Sequence, residues 1–322
     1  MKRFVTLLKI SLVLSILIIS LLSILSTSFA QQHLSFGIAK PGGTFYTLGA
    51  GFANIFNKYI PKVQVTGEST AGSTENVNLL ATKQLDLGFA GSAYYLSAKE
   101  RGLDLSNLRL ISAGYVSSVQ WIVREESPIK SIKDFIGKRI AVGSIGSGTL
   151  ETSKLALEVG YGITFDDIKA VYIGKGETPN ALRDKAVDAI VSFAHVPSAD
   201  AMDISSTTAV RIIPFDKEAA EKIYQKYPAY PVVTIPKGTY KFLKNDVLAI
   251  GTPCLFLVST ELGEDLVYKI VKALYEHQEE KDAIMPAAKD FNLENVFRGT
   301  ENLGLPFHPG AIRYYKEKGI WK

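Results

Sequence analysis

The chain has 322 residues, of which 47% are hydrophobic, a single cysteine and a formal net charge of +4 at pH 7. This length and composition support one large or two medium domains with a full hydrophobic core, and one cysteine excludes an internal disulfide. Residues 1–30 contain Lys2, Arg3 and Lys9 but no acid, so without these three charges the +4 falls to +1 for residues 31–322. A nearly neutral chain has no broad attraction for phosphate polymers or anionic lipid, and we expect no nucleic-acid partner.

The N-terminus has the pattern of a secretory signal peptide. Lys2 and Arg3 precede a run from Ile10 to Leu25 that contains only Ile, Leu, Val and Ser, and small residues then lead to Ala30. The run is shorter than the roughly 18 to 20 residues that cross a bilayer, so we expect cleavage after Ala30 and export to the periplasm. The one cysteine, Cys254, lies far from this segment, and we therefore expect no lipid anchor.

From Leu34 onward, short apolar runs alternate with longer segments of helical periodicity. The order is β-α-β-α-β-α, which predicts a mainly parallel sheet with helices on both faces. The six predicted elements are Leu34–Ala39, Phe45–Ile60, Val63–Gly67, Thr74–Ala81, Leu85–Ala90 and Ser92–Arg101.

The pattern changes at two adjacent extended runs, Leu108–Tyr115 and Val119–Arg124, which have no helix between them and fit a crossover between lobes. A second α/β series follows, and a third extended run, Val247–Ser259, is followed only by helical patterns. The elements predicted for the second series are Arg139–Val142, Thr149–Gly160, Ile168–Tyr172, Thr178–Lys185, Asp188–Val191 and Val196–Ile204.

Two connecting segments between two α/β halves predict the type II periplasmic binding protein fold. In this fold, two α/β lobes joined by two hinge strands can close around a ligand. We predict that residues 31–123 and 252–322 form lobe I and that residues 124–251 form lobe II. We also expect the chain to be a monomer.

The loops that follow the strands are the candidate ligand-binding site, because ligands of open parallel sheets bind beyond the carboxyl ends of the strands. Four such loops are rich in Gly, Ser and Thr, and a fifth follows the predicted strand Asp188–Val191. For two loops the alternative is a plain turn with local helix capping, by Thr44 in one and by Ser73 with Asn76 in the other. The candidate ligand-binding residues are Gly43, Thr44, Phe45, Tyr46, Gly72, Ser73, Ser92, Gly146, Ser147, Gly148, Thr149, His195 and Val196.

The segment Gly143–Thr149 is the most informative of these loops. Its glycines and hydroxyls stand at a predicted helix start, where free backbone N–H groups and the helix dipole attract anions. The spacing G-x-x-G-x-G is neither a dinucleotide fingerprint nor a phosphate loop, which favours a carboxylate or a similar small anion over a nucleotide. The candidate loops contain no Lys or Arg except Lys40, so we expect backbone N–H groups and hydroxyls to bind the charge. The alternative is that this loop only packs the second lobe.

The sequence contains no recognisable catalytic constellation. It has no G-x-S-x-G motif, and the four histidines, His33, His195, His277 and His308, lack metal-ligand spacing. We therefore expect no catalytic residues, no bound metal and no cofactor. Cys254 lies in an apolar segment and is interpreted as a small buried hydrophobic residue.

At these loops and in several shorter segments, the chain resembles the TAXI family, the solute receptors of one branch of the tripartite ATP-independent periplasmic (TRAP) transporters. The matching segments span nearly the whole chain after residue 30, in the order of the family's signatures. They are Gly42–Tyr46, Gly72–Asn76, Leu85–Gly88, Gly146–Thr149, Ala181–Leu182, Asp188–Ala189, His308–Ala311 and Tyr314–Tyr315.

The resemblance implies a receptor that delivers a solute such as glutamate, glutamine or 2-oxoglutarate to the sodium-coupled membrane permease subunits of a TRAP transporter. His195 departs from the family pattern, which commonly has glycine there, and its imidazole could narrow the pocket or add a binding partner. Two alternatives stay open. One is a receptor of the same fold that serves an ATP-driven importer or a sensor, and the other is an enzyme built on the type II binding fold.

Overall fold

The structure is a computed structural model that describes residues 31–321. The predicted signal peptide and its cleavage after Ala30 lie outside the described residues. The strands are β1 (Gln32–Gly37), β2 (Val63–Glu68), β3 (Leu87–Gly91), β4 (Leu108–Arg124), β5 (Arg139–Ala141), β6 (Lys169–Val171), β7 (Ala189–Ala194), β8 (Val210–Ile213), β9 (Val232–Ile235) and β10 (Val247–Ser259).

The α-helices follow strands in both halves of the chain, as the alternating pattern predicts. They are α1 (Thr44–Tyr59), α2 (Ser73–Ala81), α3 (Ser92–Glu100), α4 (Gly148–Leu155), α5 (Thr178–Arg183), α6 (Ala199–Thr207), α7 (Lys217–Lys226), α8 (Glu264–Glu276), α9 (Gln278–Asp282) and α10 (Pro309–Glu317). Short 3₁₀ turns cover Ile132–Phe135, Phe165–Asp167 and Pro286–Asp290, and a π-helical turn, Ala156–Tyr161, continues α4.

The strands join in the order β2-β1-β3-β10-β4-β7-β5-β6, with β8 beside β4 and β9 beside β10. Strands β1, β2 and β3 are parallel to one another, as are β5, β6 and β7, whereas β4 and β10 run antiparallel to their neighbours. The first lobe contains β1 to β3 with the N-terminal half of β4 and the C-terminal half of β10. The second lobe contains β5 to β9 with the remaining halves of β4 and β10.

Two long strands therefore connect the lobes. Strand β4 pairs with β10 up to Ser118 and then pairs with β7 from Ser118 to Val123. Strand β10 pairs with β9 over Val247–Ile250 before it joins β4 at Gly251. The sequence predicted two separate runs in residues 108–124, but the structure has one continuous strand of 17 residues. The intervening residues stay extended because they pair with β10.

Each lobe has its own hydrophobic core. The core of the first lobe is rich in phenylalanine, and the rings of Phe52 and Phe291 lie 5.3 Å apart at their centroids. In the second lobe the rings of Trp121 and Phe135 lie 5.1 Å apart. Fully burying one such side chain contributes about 1.5 to 3 kcal/mol, so each lobe has a substantial driving force of its own. The predicted residue boundaries of the lobes stay a prediction.

Three elements between residues 207 and 247 were not predicted from the sequence, namely β8, α7 and β9. Strands β8 and β9 are only four residues long, so their apolar pattern is too brief to be distinctive. Helix α6 also begins later than the predicted Val196. Its N-cap is Ser198, whose hydroxyl accepts a hydrogen bond from the Ala201 N–H.

Candidate ligand-binding site

A cavity lies between the two lobes, at the carboxyl ends of the parallel strands. The first lobe contributes the loops after β1 and β2, and the second lobe contributes the loops after β5 and β6. Ser117 and Thr252, on the two connecting strands, line its floor. A solute in this cavity would contact both lobes and both connections.

Seven of the predicted site residues line the cavity, and they come from both lobes. These are Gly43, Phe45, Gly72, Ser73, Ser147, Gly148 and Thr149. Their role in binding stays a prediction.

The other six predicted residues are not part of the cavity lining. Thr44 is buried, and Tyr46 is 37% exposed. Gly146 lies between the lining residues Ser144 and Ser147 of its loop, with φ +77°. The remaining three are Ser92, His195 and Val196.

The Ser92 hydroxyl is hydrogen-bonded within the protein. Its hydroxyl lies 3.1 Å from that of Thr252, which also accepts a hydrogen bond from the Ala93 N–H at 3.2 Å. Both hydroxyl side chains are 1% exposed. The beginning of α3 is thereby attached to the connecting strand β10, and Thr252 is the member of this pair that lines the cavity.

His195 faces the first lobe at a different point. Its Nε2 lies 3.5 Å from Asp290 Oδ2, and its ring meets Tyr115 edge-to-face with centroids 5.5 Å apart. The imidazole of the second lobe thus contacts two residues of the first lobe. Tyr115 lines the cavity, so His195 stands directly behind a cavity wall.

The loop Gly143–Thr149 is shaped by its glycines and by Ser147. Gly143 has φ +108°, a backbone conformation that residues other than glycine rarely adopt. The Ser147 hydroxyl accepts from the Leu150 N–H at 3.1 Å and donates to the Ser144 carbonyl at 2.6 Å. Ser147 is therefore the N-cap of α4. The N–H groups of Gly148 and Thr149, in the first turn of α4, have no intrahelical acceptor and are free to bind an anion.

The loop after β2 is held by Asn76, which is fully buried. Its amide donates to the carbonyls of Gly37 and Phe89 and accepts from the Thr70 hydroxyl at 2.7 Å. Asn76 thus attaches the ends of β1 and β3 to α2. The alternative of helix capping by Ser73 with Asn76 is wrong, because the N-cap is Gly72 and no side chain caps it. Ser73 remains in the cavity lining, where its hydroxyl accepts from the Gly91 N–H at 3.2 Å.

Hydrogen bonds cross between the lobes, so the structure shows them in contact. The Tyr94 hydroxyl of the first lobe donates to the Gly148 carbonyl of the second at 2.7 Å. The Thr74 hydroxyl donates to Glu151 Oε1 at 2.8 Å. Both acceptors belong to α4, so the helix that begins at the cavity is also the helix to which the first lobe is attached.

Sequence reasoning missed Lys175, which adds a positive charge to the lining of the cavity. It lies in the loop after β6, and its ammonium donates to the Phe193 carbonyl. Burial lowers its pKa below the usual lysine value. The expectation that the site has no cation except Lys40 is therefore corrected: Lys175 is a second one. The pair of glycines around Lys175 marks a turn, but it does not show that the lysine faces the cavity.

Cys254 is 1% exposed, and burial raises the pKa of its thiol far above the usual value. Within residues 31–321, no three His, Cys, Asp or Glu side chains are grouped so as to hold a metal ion. Across the same residues, no helix combines the length and hydropathy needed to cross a membrane.

Replacing Tyr94 by phenylalanine should weaken ligand binding by about two- to tenfold, because a neutral hydrogen bond contributes about 0.5 to 1.5 kcal/mol. The Tyr94 hydroxyl is hydrogen-bonded to the Gly148 carbonyl and to the Thr152 hydroxyl, and these lost bonds join the lobes and favour the closed form in which a solute is enclosed. Isothermal titration of the wild type and Tyr94→Phe measures this effect. Tyr172→Phe, which changes an exposed tyrosine of the second lobe, is the control. An unchanged affinity in folded Tyr94→Phe would contradict the expectation.

The fold and the cavity define a class of architecture: a mixed α/β protein with two lobes, two connecting strands and a cleft between them, which is the periplasmic binding protein fold. Residues 36–319 match the model of the NMT1-like family, and the chain belongs to that family.

Solved structures show the same fold at low sequence identity. PhnD1 from Prochlorococcus marinus (MIT 9301), solved in complex with methylphosphonate, is 15% identical, with a TM-score of 0.56 over 85% of this chain and 97% of that one. A protein from Bordetella bronchiseptica RB50 is 16% identical, with a TM-score of 0.52 over 89% of this chain and 83% of that one. Likeness at this identity shows the fold alone.

Proposed function

We propose that this protein is the extracytoplasmic solute-binding subunit of a bacterial uptake system and has no catalytic activity. The observation that carries the proposal is the cavity between the lobes, which residues of both lobes line. Two connecting strands allow the lobes to separate and to close around a solute. Membership of the NMT1-like family and the periplasmic binding protein fold support the same function.

The proposed ligand is a small carboxylate. The free N–H groups of Gly148 and Thr149 and the dipole of α4 favour an anion at the cavity. Ser73 and Thr149 add hydroxyls, and Lys175 adds a positive charge. The resemblance to the TAXI family narrows the candidates to glutamate, glutamine and 2-oxoglutarate.

The proposed partners are the permease subunits of a TRAP transporter, on the strength of the same resemblance. A receptor for an ATP-driven importer is the second candidate, because it would use the same fold and the same cleft. The neighbouring gene distinguishes them: a large polytopic permease without an ATPase supports the TRAP assignment, and an adjacent ATPase contradicts it. Either partner requires that the protein is exported. The proposed signal peptide, with cleavage after Ala30, would direct this export.

Saturation with the true ligand should make the protein more compact, because the lobes close about Ser117–Ser118 and Gly251–Thr252. The ligand is first identified by mass spectrometry of the solute released from gently purified protein. Small-angle scattering then compares the radius of gyration with and without that solute. A released carboxylate and a smaller radius support the proposed function. Turnover of the solute, or an unchanged radius at saturation, would contradict it.

A further inference from the structure

The ammonium of Lys175 lies in the cleft without a carboxylate partner. It lines the cavity and donates one hydrogen bond, to the Phe193 carbonyl, although an ammonium has three donors. No carboxylate oxygen among the described residues 31–321 lies within the 4.0 Å that defines an ion pair. The Lys175 side chain is half-buried, and a charge partly withdrawn from water without a partner is costly, so the site lacks a negative group.

Asp200 is the acid that faces Lys175, and it does not supply this group. It acts on Lys175 only through space, and its carboxylate accepts from the Ser192 hydroxyl at 3.1 Å. Asp200 is 4% exposed, and burial raises its pKa despite the attraction of Lys175. The two charged groups are therefore neighbours without being a bonded pair.

A second polar group in the same loop also lacks a partner. The Thr178 hydroxyl is buried, lines the cavity and has no hydrogen-bond partner within the described part of the chain. The side chain is 3% exposed, so bulk water does not satisfy it. An unsatisfied buried hydroxyl costs about 1 to 3 kcal/mol, which an acceptor on the solute would recover. One anionic acceptor on the solute could therefore pair with the Lys175 ammonium and also accept a hydrogen bond from the Thr178 hydroxyl.

The first lobe covers this part of the cleft when the lobes meet. A Cβ placed on Gly43 would lie 3.3 Å from Cδ of Lys175, and one on Gly42 would lie 3.1 Å from Cα of Gly176. The Gly42–Gly43 segment therefore packs closely against Lys175 and Gly176. Separation of the lobes would remove this cover and return the ammonium to water.

We propose that Lys175 and Thr178 form a subsite for a second acidic group of the solute, and that the unpaired ammonium opposes closure until this group binds. The first acidic group of the solute accepts hydrogen bonds from the N–H groups at the start of α4. This inference rests on the proposed function and narrows it to solutes with two acidic groups. Glutamate and 2-oxoglutarate then fit, and the amide of glutamine does not.

The test compares acids with their amides, which have nearly the same shape but one charge fewer. L-Glutamate is titrated against L-glutamine, and succinate against succinamate, by calorimetry. The wild type should prefer the acid by about ten- to a hundredfold, the value of a hydrogen bond to a charged group. Lys175→Met should bring this ratio close to one. Lys169→Met, at an exposed lysine of β6, is the control and should keep the preference.

Either of two titration results would overturn the proposal: wild-type protein that binds the amides as tightly as the acids, or Lys175→Met protein that keeps the preference. Lys175→Gln serves as a second variant should the methionine variant fail to fold. Ligand-free scattering gives a readout that needs no solute. Removal of the ammonium should make ligand-free Lys175→Met more compact than the wild type, and equal radii would contradict charge-controlled closure.

Failure of the proposed function gives a different result. If the wild type binds none of the four probes, these carboxylates are not its solutes, whereas the ligand-free comparison still decides the role of Lys175. If the wild type binds acids and amides alike, the result supports a carboxylate receptor but contradicts a subsite for a second acidic group.

Discussion

Gly148→Val should lower ligand affinity by roughly a hundredfold, because it prevents the lobes from meeting. A Cβ at this position would lie 2.5 Å from Cζ of Tyr94 and 2.8 Å from its Cε2. Tyr94 is 1% exposed and belongs to the first lobe, so its ring has no space into which to move. Overpacking of this kind costs about 1 to 3 kcal/mol, and the cost falls on the closed form that holds the solute.

The measurement combines calorimetric titration with thermal melting of the ligand-free protein. Ser147→Ala is the comparison: it removes the α4 cap, which costs about 1 kcal/mol of stability, and should change affinity less than Gly148→Val does. A folded Gly148→Val protein with unchanged affinity would contradict the expectation that the lobes must meet at Gly148 and Tyr94 to hold the solute. A loss of unfolding free energy as large as the loss of binding free energy would indicate that the loop only packs the second lobe.

Gly310→Ala should destabilise the first lobe strongly, although it adds only one methyl group. Gly310 lies in the first turn of α10, where a Cβ would be 2.3 Å from the Glu264 carbonyl oxygen and 2.6 Å from the Tyr268 nitrogen. Both atoms belong to the backbone of α8, so the two helices must move apart. We expect a loss of about 3 kcal/mol in the free energy of unfolding, which lowers the melting temperature by roughly 6 to 12 °C.

Gly263→Ala provides the matched control for Gly310→Ala. It stands at the N-cap of α8 with φ −68°, and a Cβ there meets no atom within 4 Å. Its effect should stay within about 1 kcal/mol, because alanine is a poorer N-cap than glycine but meets no neighbouring atom there. Thermal and urea unfolding of the two variants measures the difference. Equal stabilities would mean that α8 and α10 adjust freely, contrary to the close backbone contact.

The order of elements could be predicted because it depends on local patterns. Residues Val247–Ser259 form the predicted strand, and Thr44–Tyr59 form a helix within one residue of the prediction at each end. Apolar spacing reports which face of an element is buried, and this information lies within each segment. Short elements such as β8 and β9 contain too few residues for the same argument.

The candidate site could be predicted only in part. The glycine- and serine-rich loops after β1, β2 and β5 were found because strand ends and turn residues are visible in the sequence. The role of Ser92 was not, because its hydroxyl is bonded to Thr252, which is 160 residues away along the chain. Lys175 was missed for a similar reason, since one lysine between two glycines does not reveal whether it faces solvent or a cavity.

By itself, the sequence determined the α/β alternation, the extended runs in residues 108–124 and 247–259, and the loops where a small anion is expected. These features follow from periodicity and turn chemistry within short segments. Only the structure joined residues 108–124 into one strand. Only the tertiary structure decided which groups meet across the cleft. It joined Tyr94 to Gly148, enclosed Lys175 beneath Gly43 and left Thr178 without a partner. The physical reason is that burial and desolvation depend on the packing of distant segments, and no local pattern in the chain encodes that packing.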